Sequence, residues 1–351
     1  MPACSRIGVL APALVIASAG AAFACTTMAL GPATDRVVAY SYDTDTTGAG
    51  LVVLNAPRTE RTAQVEEPPA AAWTARHGSV TFNQFGLAFP TAGMNDQGLV
   101  VTLMWNDTVR YAPGEGDRLG ELELIQFLLD TAATVDEALA QAGTVEVAGL
   151  IPIHYFLTDG SGATAALRFE DGEAIVQRGE GQPVPALANT SYEAALAGLD
   201  EARALLPYDP AARFGSPRDS AARFATAASA IAAAQGPITP EAALATLAGV
   251  ENPATRWQIA FDPAALTVTW QTIAAPGERS LALGALDLAC AAAPLGLDVD
   301  APDAAPRPLA PEDTLDLLAQ AFAGVEPFAS FGPDFPRAVS DSQWASFRCA
   351  G

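Results

Sequence analysis

Lysine is absent from this sequence of 351 residues, so the 18 basic residues are all arginines, and they stand against 40 acidic residues. The net charge of −22 disfavours nucleic acid and anionic membranes as partners, because both would repel the protein. Only two histidines occur, too few to build a metal site without many carboxylates, and no glycine-rich phosphate loop follows a predicted strand. We therefore expect no metal, no cofactor and no nucleic acid partner.

Long apolar runs are also missing after the first 24 residues, and those 24 are typical of a secretory signal peptide. Arg6 supplies positive charge, residues 7–21 are almost wholly apolar or small, and Ala22-Phe23-Ala24 is a small-x-small cleavage pattern. The apolar run is shorter than the roughly 20 residues that a spanning helix needs, and no stop-transfer charges follow it. The sequence predicts cleavage after Ala24, a periplasmic or secreted protein, and no membrane anchor.

Cysteine is scarce, and Cys4 would leave with the signal peptide. In an oxidising compartment Cys290 and Cys349 are candidates for a disulfide, which leaves Cys25 unpaired. Cleavage after Ala24 would make Cys25 the first residue, so its own α-amine, with a reference pKa of about 7.7–8.0, could take the thiol proton. This pattern favours a nucleophilic cysteine that becomes active only after export.

Three alternatives remain for Cys25. A lipoprotein would carry a lipid on this residue, but a lipobox has an aliphatic residue three positions before the cysteine, where Ala22 stands here, and a small residue next, where Phe23 stands. A buried structural thiol is the second alternative. The third is a conventional cysteine–histidine hydrolase in which His77 or His154 acts as the base.

Hydrophobic periodicity predicts an α+β fold in which two antiparallel sheets are covered by helices on their outer faces. Residues 55–76 are predicted to form a loop, and the chain after 323 is predicted to be irregular. The β-rich runs are residues 37–42, 51–54, 79–82, 86–89, 98–105, 153–158, 164–169, 174–177, 257–261 and 266–270. The helical runs are residues 119–129, a helix capped by Thr134, 218–250 and 311–323.

Several short motifs occur in the order in which one known family has them. From Cys25 to about residue 290 the chain resembles the choloylglycine hydrolases, which are N-terminal-nucleophile (Ntn) hydrolases that include bile salt hydrolases and penicillin V acylases. The resemblance implies a four-layer αββα sandwich at residues 25–295, followed by a C-terminal extension at 296–351. The motifs are Cys25-Thr26-Thr27, Tyr40-Ser41-Tyr42-Asp43, Gly93-Met94-Asn95-Asp96-Gln97-Gly98-Leu99, Ala188-Asn189-Thr190-Ser191, Ser220-Ala221-Ala222-Arg223-Phe224 and Thr255-Arg256-Trp257.

The resemblance also implies roles for single residues. Asp43 would hold and orient the Cys25 amine, Asn189 would point a side-chain N–H at the oxyanion, and Arg223 would complete the polar cluster. Without the resemblance, Asp43 reads as a turn residue, Asn189 as a helix cap and Arg223 as a solvated helix charge. Two fixed donors at an oxyanion stabilise the charge that develops there, and losing one commonly costs about 3–4 kcal/mol.

The second oxyanion donor implied by the resemblance is a backbone N–H at Trp105 or Asn106, although Trp105 also fits a core position. One position departs from the family's pattern, because Tyr40 stands where the family has an arginine. Tyr40 can donate a hydrogen bond but carries no fixed positive charge, so it is a candidate for the substrate site. Arg36 lies on the same face of the predicted strand, four residues earlier.

Together these features predict a cysteine hydrolase of linear amides that needs no cofactor. The resemblance implies an acylated small molecule as substrate: penicillin V, an N-acyl homoserine lactone or a conjugated bile acid. It also implies a homotetramer, on which the residues themselves are silent. A dipeptidase that begins Cys-Thr-Thr and an inactive relative that binds acyl ligands are the alternatives.

Overall fold

The computed structural model describes residues 24–290, 293–303, 305–323 and 328–349. The predicted signal peptide up to residue 23, with Cys4, lies outside the described residues. Within these ranges, no helix has the length and apolar character needed to cross a membrane.

Strands dominate both halves of the main domain. The strands, in chain order, are β1 (Thr26–Leu30), β2 (Val37–Asp43), β3 (Leu51–Asn55), β4 (Thr59–Thr62), β5 (Ala72–Thr74), β6 (Ser79–Asn83), β7 (Pro90–Asn95), β8 (Val100–Trp105), β9 (Arg118–Leu119), β10 (Glu146–Val147), β11 (Ile153–Thr158), β12 (Thr164–Glu170), β13 (Glu173–Arg178), β14 (Ala186–Leu187), β15 (Thr255–Asp262), β16 (Thr267–Thr272), β17 (Arg279–Ala282), β18 (Leu295–Asp298), β19 (Arg307–Pro308) and β20 (Arg348–Cys349).

The helices fall into three groups, which follow β9, β14 and β19. The helices are α1 (Glu121–Thr131), α2 (Val135–Ala142), α3 (Tyr192–Ala197), α4 (Leu199–Arg203), α5 (Pro210–Arg213), α6 (Asp219–Ala233), α7 (Pro240–Leu247), α8 (Pro311–Ala323) and α9 (Phe335–Ser346). The predicted cap is confirmed, because the Thr134 side chain accepts a hydrogen bond from the backbone N–H of Glu137 at the start of α2.

Two antiparallel sheets form the two central layers. Sheet A has six strands in the order β14-β1-β2-β15-β16-β17, and sheet B has nine in the order β13-β12-β11-β8-β7-β6-β3-β18-β19. Helices α6 and α7 pack on sheet A through β1, β2 and β15, whereas α1 packs on sheet B through β7 and β8. The predicted four-layer αββα sandwich is therefore confirmed.

The inner faces of the two sheets meet in an aromatic core. Phe82 of sheet B packs its ring against Trp257, Phe261 and Trp270 of sheet A, with centroids 6.4, 6.0 and 5.6 Å away. Near the start of β1 the contact becomes polar, since the Tyr40 hydroxyl donates to the Leu103 carbonyl oxygen across the sheets at 2.9 Å. Cys25 lies at this polar end of the sandwich.

Three sequence predictions about local structure were wrong. Residues 55–76 contain β4 and β5, which are short, partly polar strands that a hydrophobicity pattern does not reveal. Residues 86–89 are not a strand, because their apolar side chains pack on the C-terminal helices rather than alternating across a sheet. The region after 323, predicted to be irregular, contains α9.

The C-terminal extension closes back on the main domain. Strand β18 joins sheet B by pairing with β3, and α8 packs against α9. Cys290 and Cys349 form a disulfide, and β20 pairs with β4. The extension is thus attached at both of its ends.

Helix α9 also forms hydrogen bonds to the loop of residues 84–89, here called the 84–89 loop. The Gln343 side chain donates to the Phe85 carbonyl at 2.9 Å and accepts from the Leu87 N–H at 2.5 Å. Gly86, with φ of +83°, lies between these bonds, and a Cβ there would stand only 2.2 Å from the Gln343 amide oxygen. A glycine is therefore required at this contact.

Candidate active site

Cys25 carries a free thiol and is completely buried at the start of β1. Its sulfur accepts a hydrogen bond from the Asp43 N–H at 3.4 Å, and its S–H donates to the Asp43 carbonyl at 3.6 Å. Burial raises the pKa of the thiol to about 12, and the charge of Asp43 adds to this. The Asp43 N–H, the Tyr40 hydroxyl and the Arg223 charge act in the opposite direction. In this form of the chain the thiol is protonated.

Asp43 ends β2 and is also completely buried. Its two carboxylate oxygens accept hydrogen bonds at 2.7 Å from the Ser41 hydroxyl and the Asn252 side-chain amide. Burial raises the pKa of Asp43, while the charge of Arg223 and the hydrogen bonds from Ser41, Asn252 and Thr255 lower it. The carboxylate is thus held in one orientation beside the nucleophile.

Arg223 connects the other groups of the site from its place on α6, and only 1% of it is exposed. Its Nη1 donates to the Cys25 carbonyl at 2.8 Å and to the Thr26 hydroxyl at 2.6 Å. Its Nη2 donates to the Asn189 amide oxygen at 3.0 Å, and Asp219, one helical turn earlier, forms an ion pair with it at 2.9 Å. The guanidinium therefore fixes the nucleophile's backbone and the Asn189 side chain at once.

Asn189 lies just after β14, and its neighbours determine which end of the amide is the donor. Because Arg223 occupies the oxygen, the nitrogen points the other way and donates to the Trp105 carbonyl at 3.1 Å. Its backbone N–H donates to the Ser220 hydroxyl at 2.9 Å. The side-chain amide carries a second N–H, which is the donor that an oxyanion would need.

The two candidates for a backbone oxyanion donor, Trp105 and Asn106, differ in the hydrogen bonds that the structure shows for them. The backbone N–H of Asn106 donates to the Pro152 carbonyl at 2.8 Å, so it is already occupied in this structure. Trp105 is the last residue of β8, paired with Ile153 of β11, and its role stays a prediction. Both residues lie at the end of β8 that meets Asn189.

Tyr40 occupies a wholly buried position between the sheets. Burial raises the pKa of its phenol well above the usual value, so the group is neutral, and its hydroxyl donates to the Leu103 carbonyl. Arg36 does not replace the missing arginine, because its guanidinium donates to the Gly162 carbonyl in a distant turn. Position 40, beside the thiol, thus carries a polar, neutral side chain where the family pattern has a cation.

Neither histidine is arranged as a base for the thiol. Both ring nitrogens of His154 are engaged, with the Ala188 carbonyl at 2.6 Å and the Asn106 side-chain nitrogen at 3.0 Å. Burial lowers the pKa of His154 to about 4. The Nδ1 of His77 lies 3.4 Å from the Asp96 carboxylate. His77 precedes β6, whereas the 84–89 loop follows this strand, so the two lie at opposite ends of β6.

Sequence reasoning missed several supporting residues. The spacing of Asp219 and Arg223 by one helical turn was a usable signal, since such residues lie on the same helix face. Asn252 gave no comparable signal, because it precedes Pro253 and reads as a turn residue. Gln84 of the 84–89 loop accepts a hydrogen bond from the Tyr42 hydroxyl at 2.6 Å, and only the folded chain shows this.

A second buried carboxylate lies outside this site. Asp130 of α1 is completely buried, and Arg61 places its Nε 2.9 Å from the Asp130 Oδ2. Trp73 and Gln126 donate to the same carboxylate at 2.8 and 2.7 Å, and Arg61 also donates to Asn55. Within the described residues, no group of three or more histidines, cysteines or carboxylates could hold a metal ion.

No family model matches this chain. A segment is 29% identical over 130 residues to penicillin V acylase from Pectobacterium atrosepticum, covering 32% of this chain and 35% of that protein. The aligned segment therefore spans about a third of the length of this curated relative.

Solved structures extend the likeness to most of the chain. Penicillin V acylase from Agrobacterium tumefaciens superimposes with a TM-score of 0.65 at 21% identity, over 78% of this chain and 91% of that one. A variant of conjugated bile acid hydrolase from Clostridium perfringens gives a TM-score of 0.60 at 12% identity, over 82% and 96%. These comparisons confirm the predicted fold: the chain shares the fold of the solved penicillin V acylase and conjugated bile acid hydrolase.

Proposed function

We propose that this protein is an exported amide hydrolase that uses Cys25 to cleave a linear, non-peptide amide bond of an acylated small molecule. The observation that carries the proposal is the Arg223 guanidinium, which joins the carbonyl of Cys25 to the side chain of Asn189 around one buried thiol. The nucleophile and an amide donor are thereby held in one hydrogen-bonded group, as acyl transfer requires.

Activation would depend on cutting the bond between Ala24 and Cys25. In the structure Ala24 is buried and its carbonyl is bonded to the Cys25 nitrogen, which therefore cannot act as a base. Cleavage converts this nitrogen into an α-amine with a reference pKa of about 7.7–8.0, low enough to take the thiol proton near neutral pH. The buried Asp43 carboxylate then stabilises and orients the resulting ammonium.

In the acylation half of the reaction, the thiolate attacks the acyl carbon and forms a carbon–sulfur bond. The charge that develops on the carbonyl oxygen is stabilised by the free side-chain N–H of Asn189. The carbon–nitrogen bond then breaks, and the departing amine takes a proton from the Cys25 ammonium. The product of this half is a thioester on Cys25.

In the second half, the neutral α-amine removes a proton from a water molecule, which attacks the thioester. The carbon–sulfur bond breaks, the acid leaves, and the thiol and amine return to their starting protonation states. As substrates we propose penicillin V, an N-acyl homoserine lactone or a conjugated bile acid, which are acyl amides of the kind named by the relatives.

The N terminus of the purified, exported protein tests the activation step. The expected intact mass is that of residues 25–351 with one disulfide and no lipid. Because the sequence has no lysine, an amine-specific reagent applied to the denatured protein should modify a single site, the α-amine of Cys25. An aldehyde that condenses with 1,2-aminothiols should add to that same residue. A lipidated cysteine, or a chain that starts elsewhere, would refute the activation mechanism.

A substrate panel tests the chemistry. The wild type and Cys25→Ala are incubated with the three acyl amides and with dipeptides that have a free α-amine. Release of amine by the wild type alone supports the proposal, whereas turnover of dipeptides alone assigns the dipeptidase activity instead. Binding of acyl amides without turnover by either protein would identify a ligand-binding relative, consistent with the neutral Tyr40 beside the thiol.

A further inference from the structure

His154 lies on β11, opposite Met104 of β8, and is 99% buried. Its Nε2 is 2.6 Å from the Ala188 carbonyl, which can only accept, so this nitrogen carries the hydrogen. The neutral ring then leaves Nδ1 as an acceptor for the Asn106 side-chain N–H, 3.0 Å away. Geometry alone therefore fixes the tautomer.

These contacts close a ring with the site. Ala188 is bonded to Asn189, whose side-chain N–H donates to the Trp105 carbonyl at 3.1 Å, and Trp105 is bonded to Asn106. From Asn106 the ring returns through the imidazole of His154 to the carbonyl of Ala188. The ring thus consists of three hydrogen bonds and two peptide bonds, together with the residues that they join, and the Asn189 side-chain amide is part of it.

Asn106 is itself firmly held. Its N–H donates to Pro152 at 2.8 Å, and its side-chain oxygen accepts from the N–H and the hydroxyl of Thr108 at 3.0 and 2.8 Å. It is 1% exposed. Asn106 therefore fixes the orientation of the imidazole at Nδ1, and the imidazole in turn fixes the position of the Ala188 carbonyl at Nε2.

The ring spans the two sheets. Asn189 follows β14 at the edge of sheet A, while Trp105 ends β8 of sheet B and Asn106 follows it. The two sides of an oxyanion site here belong to different sheets, and a displacement of about 1 Å between such groups commonly costs about a hundredfold in rate. A direct link between the two sheets at this point would keep their separation constant.

We propose that His154 is a positioning residue that holds the Ala188–Asn189 segment against the end of β8, so that the Asn189 amide faces the reacting carbonyl. This inference rests on the proposed amide hydrolysis. His154 donates no proton to substrate and accepts none; it acts through Asn189.

The activity test replaces His154 by phenylalanine, which keeps a ring but loses both hydrogen bonds. His154→Phe is expected to lower kcat by about 10²-fold with KM changed less than about threefold. In an Asn189→Ala background the same substitution should have little further effect, because the residue that it positions is gone. Equal losses of kcat in both backgrounds would overturn the inference.

Two matched variants separate positioning from folding. His154→Gln keeps a donor that can reach the Ala188 carbonyl and should recover at least about tenfold of the kcat lost in His154→Phe. Tyr155→Phe removes a neighbouring buried hydrogen bond, 2.8 Å long, to the Glu121 carbonyl on α1. It should lower the melting temperature without lowering kcat. A loss of kcat in Tyr155→Phe as large as in His154→Phe would overturn the positioning role.

A spectroscopic readout separates failure of the ring from failure of the proposed function. The sequence has two histidines, so ¹⁵N-histidine labelling gives two sets of ring signals, and His154→Phe assigns them. His154 should show a protonated Nε2 and an unprotonated Nδ1, and Asn106→Ala should shift that Nδ1. The reverse tautomer overturns the ring even if the enzyme is active. The expected tautomer without any turnover refutes the proposed hydrolysis, and with it the positioning role.

Discussion

Two completely buried carboxylates in this protein lie near an arginine, but their surroundings differ. Burial raises the pKa of both Asp43 and Asp130, and the arginine charge lowers it in both cases. Around Asp130 the Arg61 guanidinium forms an ion pair with the carboxylate, and two further side chains donate hydrogen bonds to it. Arg223 instead bonds to a nucleophile's carbonyl and an amide donor.

The comparison shows that burial and a perturbed pKa do not identify an active site by themselves. Structural ion pairs and catalytic groups are perturbed by the same desolvation. What separates the two clusters is a thiol within hydrogen-bond range of Asp43 and a donor on Asn189 that Arg223 orients. Substitutions in the two clusters should therefore affect different properties of the protein.

Cys25→Ala should remove the nucleophile and lower kcat by roughly 10⁶-fold, the scale found when a nucleophile is deleted from an acyl-transfer site. The measurement is amine release from an acyl amide in single-turnover and steady-state assays. Its thermal melting should stay close to that of the wild type. Residual turnover within about a hundredfold of the wild type would show that the Asp43 cluster is no more catalytic than the Asp130 cluster.

Asp43→Asn should lower kcat by roughly 10⁴-fold, because the carboxylate that orients the base is lost while the shape is kept. The asparagine oxygen still accepts from Ser41 or Asn252, so the fold should persist. Steady-state kinetics on protein of verified mass, with circular dichroism as a control for folding, would check this. An unchanged kcat would remove Asp43 from the mechanism.

Asp130→Asn should act on stability instead. It leaves the guanidinium of Arg61 buried without its counter-charge, and breaking a buried pair in this way costs about 3–5 kcal/mol. The free energy of unfolding, measured in urea, should fall by that amount, while kcat at a temperature where the variant is folded should stay within about threefold. A selective loss of kcat would contradict the assignment of this cluster to structure alone.

Glu123→Gln should alter how stability depends on pH. Burial raises the pKa of Glu123 to about 7 from a reference value of 4.5, so between these values the folded chain holds a proton that the unfolded chain has released. Glu123 therefore contributes to the free energy of unfolding in full below pH 4.5. This contribution, on the order of 3 kcal/mol, is lost as the pH rises towards 7. Urea unfolding at several pH values should show this slope in the wild type.

The same series in Glu123→Gln should be flatter over this range, although glutamine cannot accept both backbone N–H groups that the carboxylate accepts, from Gln64 and Gly120. A lower but pH-independent stability is therefore expected. An identical slope in both proteins would assign the pH dependence to another buried group, such as Glu121, whose pKa burial also raises.

The sequence predicted the layers of this fold because its long strands and helices carry clear periodicity. Helix α8 spans the predicted residues 311–323, and β11, β12 and β13 match the predicted β-rich runs at 153–158, 164–169 and 174–177. The sequence did not predict the short strands. Strand β4, for example, pairs with β5 and with β20, which is distant in sequence. Local patterns cannot report pairings between residues 59–60 and 348–349.

The site divides in the same way. Asp43, Asn189 and Arg223 could be named from motifs. The structure places Asp43 and Arg223 in contact with Cys25, and it links Asn189 to this group through Arg223. The ring through His154 could not be named, because its members come from three separate strands and carry no shared pattern. The sequence offers His154 as a possible base, and its two occupied nitrogens and its lowered pKa indicate otherwise.

The sulfur bridge between Cys290 and Cys349 gives the chain beyond the main domain a closed topology, since the two cysteines are 59 positions apart in sequence. A single proteolytic nick anywhere between them would break the backbone but release no fragment, and Gln343 would keep its hold on the 84–89 loop. Such a clipped protein should migrate as one band on a non-reducing gel and as two after reduction. Proteolytic cleavage in this segment would therefore be detected only after the Cys290–Cys349 disulfide is reduced.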